Sequence, residues 1–513
     1  MRDPAKVLRL FALRRREAMC AIQVLSVAVG WWLLVFFLTR DSQFPSYYHN
    51  DEPSKIIQLQ TGTRNLRHPP LMLSLADVAL AISGVHRDTE SIVRAGRLLS
   101  ACYLAGAIVC MGLLAWREAG AAPGICVAAL LVFNADLFEC AHYFKEDALF
   151  LFGIACFCLC ADVLALKKST LLTVLFALAT ALVASSKYAG LALVPFALGT
   201  VVCLAVDQGF PRRNVWLFFG VFTVSLLSFY WPALWDCEML KGEVGLEVSR
   251  LFEGHYGESS APSTAPYKKH LLEQFSPFAW RLTWLYAFAK LIRRSPSGWV
   301  IIFFGSGYWM AISQAAKFSE RYLLPIYLFF CFSVVVGASL VLRLLAKQLD
   351  LRQKNLLEAC FVALAPLFLC LYILPSELDR FHARCEAFQE DSRVELQHWV
   401  VRHLPEDALI AQDHMVQLHT YPIGKRSIID SYFVADLGTL EELRTRGVGF
   451  VAVSFDVYHR YVGPDHAGSA ASSEEFQRRR AFYTQLFSKG KLLWKKGGRN
   501  PKPLHPGLAL VQI

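Results

Sequence analysis

Uncharged apolar stretches recur along most of this chain, and they limit its fold more than any other feature. Ala21–Leu38 (AIQVLSVAVGWWLLVFFL) carries no charge, and neither does Ala148–Ala161, Thr170–Ser186 or Val215–Trp235. About 20 such residues at 1.5 Å rise span the roughly 30 Å hydrocarbon core, and a helix satisfies its own backbone there. One such stretch fits a soluble core; so many do not. The chain is 55% hydrophobic and only 18% charged, where a soluble protein carries about 25% charge. The expected fold class is a polytopic α-helical membrane protein of about eleven crossings with a C-terminal soluble α/β domain.

The crossings expected are 19–38, 95–115, 121–140, 147–166, 170–186, 188–206, 215–235, 275–292, 297–315, 321–343 and 356–375. Arg14–Arg16 precede the first, and residues 39–50 offer no small-residue cleavage site, so an uncleaved helix with a cytoplasmic N-terminus is expected. Every inner turn then carries Lys or Arg: Arg117, Lys167–Lys168, Arg212–Arg213, Arg293–Arg294, and Arg343 to Lys354. The exterior receives the loop 39–94, the turn 141–146, the loop 236–274 and the tail 376–513. The division is thus a transmembrane region 1–375 and an exterior domain 376–513. Arg281 and Lys290 interrupt the eighth span. The net charge of +10 serves orientation in the bilayer, and nucleic acid is not an expected partner. Most of the fourteen cysteines lie in apolar runs and read as packing residues. Cys237 and Cys385 fall in exterior segments, but nothing in the sequence pairs them.

Within the first exterior loop, Pro69–Ser83 is apolar but short and has Asp77 at its centre. It reads as a re-entrant or interfacial helix, with Pro53–Gln60 as a second; an ordinary transmembrane hairpin is the alternative. The loop 236–274 has the Gly, Ser and Pro content of a lid. In the tail, Arg393–Leu404, Thr439–Thr445 and Phe476–Phe487 read as helices. Ala408–Ala411, Phe450–Phe455 and Leu508–Ile513 read as strands, and 456–475 as a polar loop.

Charged residues gather where expected crossings meet the exterior. Asp51 and Glu52 follow the first crossing. A carboxylate there serves as a general base toward a hydroxyl, or Asp51 simply caps the helix at Pro53 while Glu52 faces solvent. Arg64, Arg67 and His68 make the same loop cationic. Asp136 and Glu139 share a helical face, and with His142 they are candidate ligands for a divalent metal; a charged rim countered by Lys145 is the alternative. Lys187-Tyr188 and Arg321-Tyr322 stand at exterior turns, where cations either reach for headgroups or clamp a phosphate. Glu320 is a second candidate partner for Arg321.

The order Asp51-Glu52, His68-Pro69-Pro70-Leu71, Arg97-Leu98-Leu99-Ser100, Lys187-Tyr188 and Arg321-Tyr322-Leu323-Leu324-Pro325 resembles the GT-C glycosyltransferases. It is closest to the dolichyl-phosphate-mannose protein mannosyltransferase and aminoarabinose transferase-like group, over roughly 15–375. The resemblance implies an enzyme that moves a sugar, with inversion, from a polyprenyl-phosphate carrier to a hydroxyl acceptor at the exterior membrane face. It gives the catalytic role to Asp51, with Glu52 beside it. The carrier phosphate falls to Lys187, Arg321, Lys145 and Arg64, while His68, Tyr188 and Tyr322 shape the site. No organic cofactor is expected, and a divalent metal at Asp136, Glu139 and His142 stays open. Membrane lipids surround the chain, and the acceptor is a glycan, lipid or protein. A bacterial inner membrane with the site facing the periplasm is the expected location, and a eukaryotic endomembrane the alternative. The competing functions are a secondary transporter of a lipid-linked or anionic solute and an inactive membrane scaffold.

Overall fold

The computed structural model describes residues 26, 29–37, 39, 49, 51–207, 209–253, 264–274, 277–293, 296–315, 319–348, 355–462, 473–498 and 504–513. Residues 29–37 are helical within the first expected crossing, and Trp32 and Phe36 are buried. Next come α1 (Glu52–Thr61), α2 (Leu71–Ser83) and α3 (Thr89–Ala119), followed by α4 (Ala121–Val132), α5 (Ala135–Ala141), α6 (Glu146–Lys167) and α7 (Thr170–Ser186).

By length and apolar composition, four spans among the described residues could cross a membrane: Thr89–Ala119, Glu146–Lys167, Tyr188–Val206 and Glu320–Arg343. The pair α4–α5 makes a fifth if read as one broken span. The expected crossing 121–140 is thus not straight but bends by 63°. Asn134 causes the break by capping a new helix, its Oδ1 accepting from Leu137 N at 3.0 Å.

Glycines let the helices approach closely, as membrane packing requires. A side chain at Gly153 would meet the backbone of Val183, and one at Gly190 would meet the Val183 carbonyl. Charges inside the bundle are paired. Lys290, which interrupts the eighth expected crossing, meets Glu118 at 2.5 Å, and Arg117 faces Asp162 at 3.4 Å. The Ser297 hydroxyl lies within hydrogen-bond distance of both carboxylates, 3.1 Å from Glu118 and 3.0 Å from Asp162, and donates to one of them at a time.

The two short helices of the first loop form as the sequence predicts. Ile56 and Leu59 of α1, with Leu71, Met72, Ala76 and Leu80 of α2, pack against Ile92 and Val93 of α3 and against Phe144. Gly62 and Gly84 end these helices in the left-handed conformation that glycine adopts at little cost. Asp77 is held by Arg64 and by Arg87, the latter at 2.8 Å. Within the loop 236–274, Cys237–Glu253 and Thr264–Gln274 are helical, and residues 254–263 of the expected lid lie outside the described residues.

The last bundle helix, α8 (Asn355–Ala387), runs a dozen residues past the expected end at 375. The tail then builds a five-stranded sheet in the order β2-β1-β3-β5-β4, from β1 (Leu409–Asp413), β2 (Ser427–Ser431), β3 (Phe450–Ser454), β4 (Lys491–Lys496) and β5 (Leu508–Gln512). The β1–β2 and β1–β3 pairs are parallel; β5 runs antiparallel to β3 and β4. Period-two alternation sends Ile410, Ala452, Leu508 and Leu510 to one face, against Leu396 and Val400 of the Ser392–His403 helix. Ala411, Val451, Val453, Ala509 and Val511 pack on the other face against Tyr461, Phe482 and Leu486. The result is a three-layered α/β domain. Phe388, Val394, Tyr421 and Leu504 at its base join the core of the helical bundle.

Candidate active site

Asp51 occupies the N-cap position of α1, yet its side chain makes no capping bond. Its Oδ2 instead accepts from Lys145 Nζ at 2.6 Å and faces His49 Nδ1 at 3.6 Å and Arg321 Nη1 at 3.7 Å. Among the described residues no hydrogen bond reaches Oδ1, and the side chain is 43% exposed. One oxygen is held by cations and the other is presented outward. Burial opposes ionisation, but His49, Arg321, His68 and Lys55 outweigh it, so the carboxyl lies well below the usual carboxylate range.

Glu52 does the opposite of facing solvent, for its side chain is fully buried. Oε1 accepts from Arg97 Nε at 3.1 Å and from Phe144 N at 2.8 Å. Oε2 accepts from Arg97 Nη2 at 2.9 Å and from His49 N at 3.1 Å. This bidentate fork fastens α1 to α3 and to the turn carrying Lys145. Glu52 is therefore held between Arg97, His49 N and Phe144 N, next to Asp51 and the turn that carries Lys145.

The 142–145 turn leads into α6, whose first two residues are acidic. Glu146 is paired with Lys55 of α1, and Asp147 accepts from Lys187 Nζ at 2.6 Å. The Lys187 ammonium lies 5.1 Å from the centroid of the Tyr322 ring, and the Arg321 guanidinium 5.4 Å from it. Tyr322 thereby sits against both cations. His49 Nε2 lies 3.1 Å from Arg321. Burial, opposed by Asp51 and reinforced by Arg321, brings the His49 ring down to about 4. His68 is brought down to about 3, first by burial and then by Lys55. Both rings are neutral near pH 7.

Five cations (Lys55, Arg97, Lys145, Lys187, Arg321) thus meet four carboxylates (Asp51, Glu52, Glu146, Asp147). Arg321 is the surplus, because Asp51 already accepts from Lys145 at shorter range. Its Nε is buried and has no hydrogen-bond partner among the described residues. A buried guanidinium donor left over in a net-positive cluster is suited to an anion.

The remaining expected residues fall elsewhere. Arg64 is tied to Asp77 and to the Gln58 carbonyl, which fixes the loop rather than reaching Asp51. Tyr188 also braces the loop, its hydroxyl donating to the Leu66 carbonyl at 2.6 Å. Lys145, expected as counter-ion of Asp136 and Glu139, faces Asp51. Asp136 lies 3.2 Å from Arg380 and 3.5 Å from Arg384, and Glu139 pairs with Arg384. His142 Nε2 lies 2.8 Å from Thr39 Oγ1 and Nδ1 2.9 Å from the Phe138 carbonyl, with the ring stacked on Phe388. Asp136, Glu139 and His142 therefore turn toward arginines and local partners and do not converge as metal ligands. Cys237 and Cys385 are both free thiols.

His49, Lys55, Arg97, Glu146 and Asp147 complete the cluster without having been singled out as site residues. A signal for Lys55 was its spacing of four residues from Asp51 across one helical turn. The pairing with α6 arises only in the folded chain.

The fold is that of GT-C glycosyltransferases. Among solved structures it superimposes on the oligosaccharyltransferase AglB from Archaeoglobus fulgidus in complex with an inhibitory peptide and a dolichol-phosphate. That match has a TM-score of 0.56 and 12% identity, and covers 94% of this chain and 80% of that one. ArnT from Cupriavidus metallidurans bound to undecaprenyl phosphate matches with a TM-score of 0.53 and 13% identity, covering 94% and 97%. The apo state of that ArnT matches at 0.50 and 14%, covering 96% and 98%. No protein-family model matches the chain, and no curated protein matches it in sequence.

Proposed function

We propose that this chain is an inverting glycosyltransferase that moves a sugar from a polyprenyl-phosphate carrier to a hydroxyl acceptor at the exterior face of a membrane. The observation that carries the reading is the pairing of Asp51, with one oxygen outward, to a cation cluster whose surplus member is Arg321. The fold supports it, because its solved examples include AglB with a dolichol-phosphate and ArnT with undecaprenyl phosphate. The proposed arrangement keeps the eleven crossings, the exterior domain from 376 onward and a bacterial inner membrane with the site facing the periplasm.

In this reading the donor phosphate binds Arg321 and Lys187, with Lys145 on its Asp51 side. The acceptor hydroxyl approaches the anomeric carbon from the face opposite the phosphate. A new carbon–oxygen bond forms as the bond to the phosphate oxygen breaks. The phosphate leaves with its carrier as an anion, its growing charge stabilised by fixed cations, and the hydroxyl proton passes to Asp51. A carboxylate held far below its ordinary range is a weak base in the free enzyme. A bound phosphate competes for Lys145 and Arg321 and so raises the proton affinity of Asp51 when the donor is in place. Donor binding thus precedes base activation.

The test uses purified protein in lipid with labelled polyprenyl-phosphate sugars. The reading expects acceptor-dependent release of the carrier, abolished by Asp51→Asn. Undiminished transfer in that variant would remove Asp51 from the mechanism.

A further inference from the structure

The C-terminal domain carries a second group of chemistry-bearing side chains, on a different part of the molecule. His414 follows β1, His419 lies five residues on, and Asp430 stands in β2, the neighbouring parallel strand. One ligand atom from each of the three lies within 4.8 Å of the others, the one such group found among the described residues. The carboxylate is shared between the rings. Oδ2 lies 2.7 Å from His414 Nδ1, and Oδ1 lies 3.5 Å from His419 Nδ1, which accepts from Gln412 Nε2 at 2.6 Å. The second distance is close to the edge of about 3.3 Å between two ligands of a tetrahedral ion bound at zinc distances. The rings lie nearly parallel, 24° apart with centroids separated by 5.6 Å, so both Nδ1 atoms address one carboxylate.

The surroundings hold this arrangement. Gln412, fully buried in β1, donates from Nε2 to Asp430 Oδ1 at 2.7 Å, while its Oε1 accepts from Leu418 N at 2.9 Å. That backbone bond fixes which way the amide points. Gln417, buried between the two histidines, has a φ of 59°, a conformation costly for a residue with a side chain. It is secured by Arg393 Nη1, which donates to its Oε1 at 2.6 Å. The turn therefore brings His414 and His419 to the same side. The group also sits at the carboxyl ends of parallel strands β1 and β2, where open α/β sheets bind ligands.

We propose that His414, His419 and Asp430 bind a divalent transition-metal cation of the zinc class. Two imidazoles and one carboxylate are a borderline-soft donor set that favours such an ion over magnesium or calcium. Three protein ligands leave a fourth coordination position, and side chains only about one-third exposed leave it open to solvent. Binding exchanges the His414–Asp430 and Gln412–His419 contacts for bonds to the metal. Gln412 remains behind Asp430 as its orienting donor.

The full-length protein, purified in detergent and stripped with a chelator, is titrated with Zn2+ and, in parallel, with Co2+. One equivalent of Zn2+ retained after desalting is expected, with Co2+ giving the visible absorption of a low-coordinate site. His414→Ala and Asp430→Asn lose both signals while eluting as the parent does on size exclusion. Gln412→Ala weakens binding about 10- to 100-fold, and His382→Ala on α8 changes nothing. Absence of stoichiometric binding by the unmodified protein, or retention of metal and spectrum by the double variant His414→Ala/Asp430→Asn, overturns the proposal. In that case the three residues form a hydrogen-bonded network only.

Discussion

Replacing Glu52 with Gln keeps the side chain's shape and removes its charge. The native carboxylate accepts hydrogen bonds from Arg97 Nε and Nη2, from Phe144 N and from His49 N. An amide in its place turns two of those accepting positions into donors facing donors. It also leaves Arg97, whose side chain is 7% exposed, without its anionic partner. Breaking a buried pair from one side costs about 3–5 kcal/mol, chiefly because the other charge stays buried. The readout is the temperature at which buried thiols such as Cys140 and Cys158 become reactive to maleimide, measured in detergent. Glu52→Gln should lower that temperature strongly. Glu52→Gln/Arg97→Met, which removes both charges, should recover part of the loss. Transfer should fall in both variants, because the tether from Glu52 to the turn holding Lys145 is gone in each. A Glu52→Gln protein with an unchanged thiol profile, or a double variant less stable than the single, would show that the Glu52–Arg97 pair does not hold this part of the fold together.

Arg321→Lys keeps the charge but loses the planar donor fork, including the unpartnered Nε. Hydrogen bonds to charged groups are worth about 1.5–3 kcal/mol, so the KM for the lipid-linked donor should rise about ten- to hundred-fold; an unchanged KM contradicts the phosphate assignment. His49 takes up a proton only near pH 4 when folded and near 6.5 when unfolded. Between those values the unfolded chain binds more protons, so stability should drop as pH falls, by about 1.4 kcal/mol per pH unit. His49→Gln should flatten that limb of a thermal-stability profile, and a flat parent profile from pH 7 to 4 would count against it. Gly190→Val forces a side chain into the Val183 carbonyl and should cost about 1–3 kcal/mol, seen as a lower midpoint of thermal aggregation.

Features that depend on local pattern were legible in the sequence. The helix Thr170–Ser186 has the bounds its uncharged run predicts, and α1 and α2 form where Pro53, Gly62 and the short apolar segment place them. In the tail, β1, β3 and β5 coincide with the expected strands to within two residues. The missed strands are both sheet edges. β4 (KLLWKK) carries the lysines that protect an edge, and β2 (SIIDS) has too short an apolar centre to stand out. Phe455–Val462 is helical where the sequence predicts a polar loop from 456 on, because His459 and Arg460 obscure its buried face of Val457 and Tyr461. Hydropathy ends at 375, whereas α8 continues to Ala387. Its Arg380 and Arg384 supply the counter-charges of Asp136 and Glu139. At the site, Asp51, Lys187 and Arg321 stand out in the sequence as charges next to apolar runs. Which carboxylate each cation meets is set by tertiary packing, so the pairing of Glu52 with Arg97 and of Arg64 with Asp77 does not show in the sequence.

The most direct measurement is a structure of the full chain with a non-hydrolysable polyprenyl-phosphonate sugar bound. The phosphonate is expected at hydrogen-bond distance from Arg321 and beside Lys187, with the free oxygen of Asp51 facing the side of the anomeric carbon away from the lipid. A donor lodged away from Arg321, or an anomeric carbon with no path to Asp51, would contradict it.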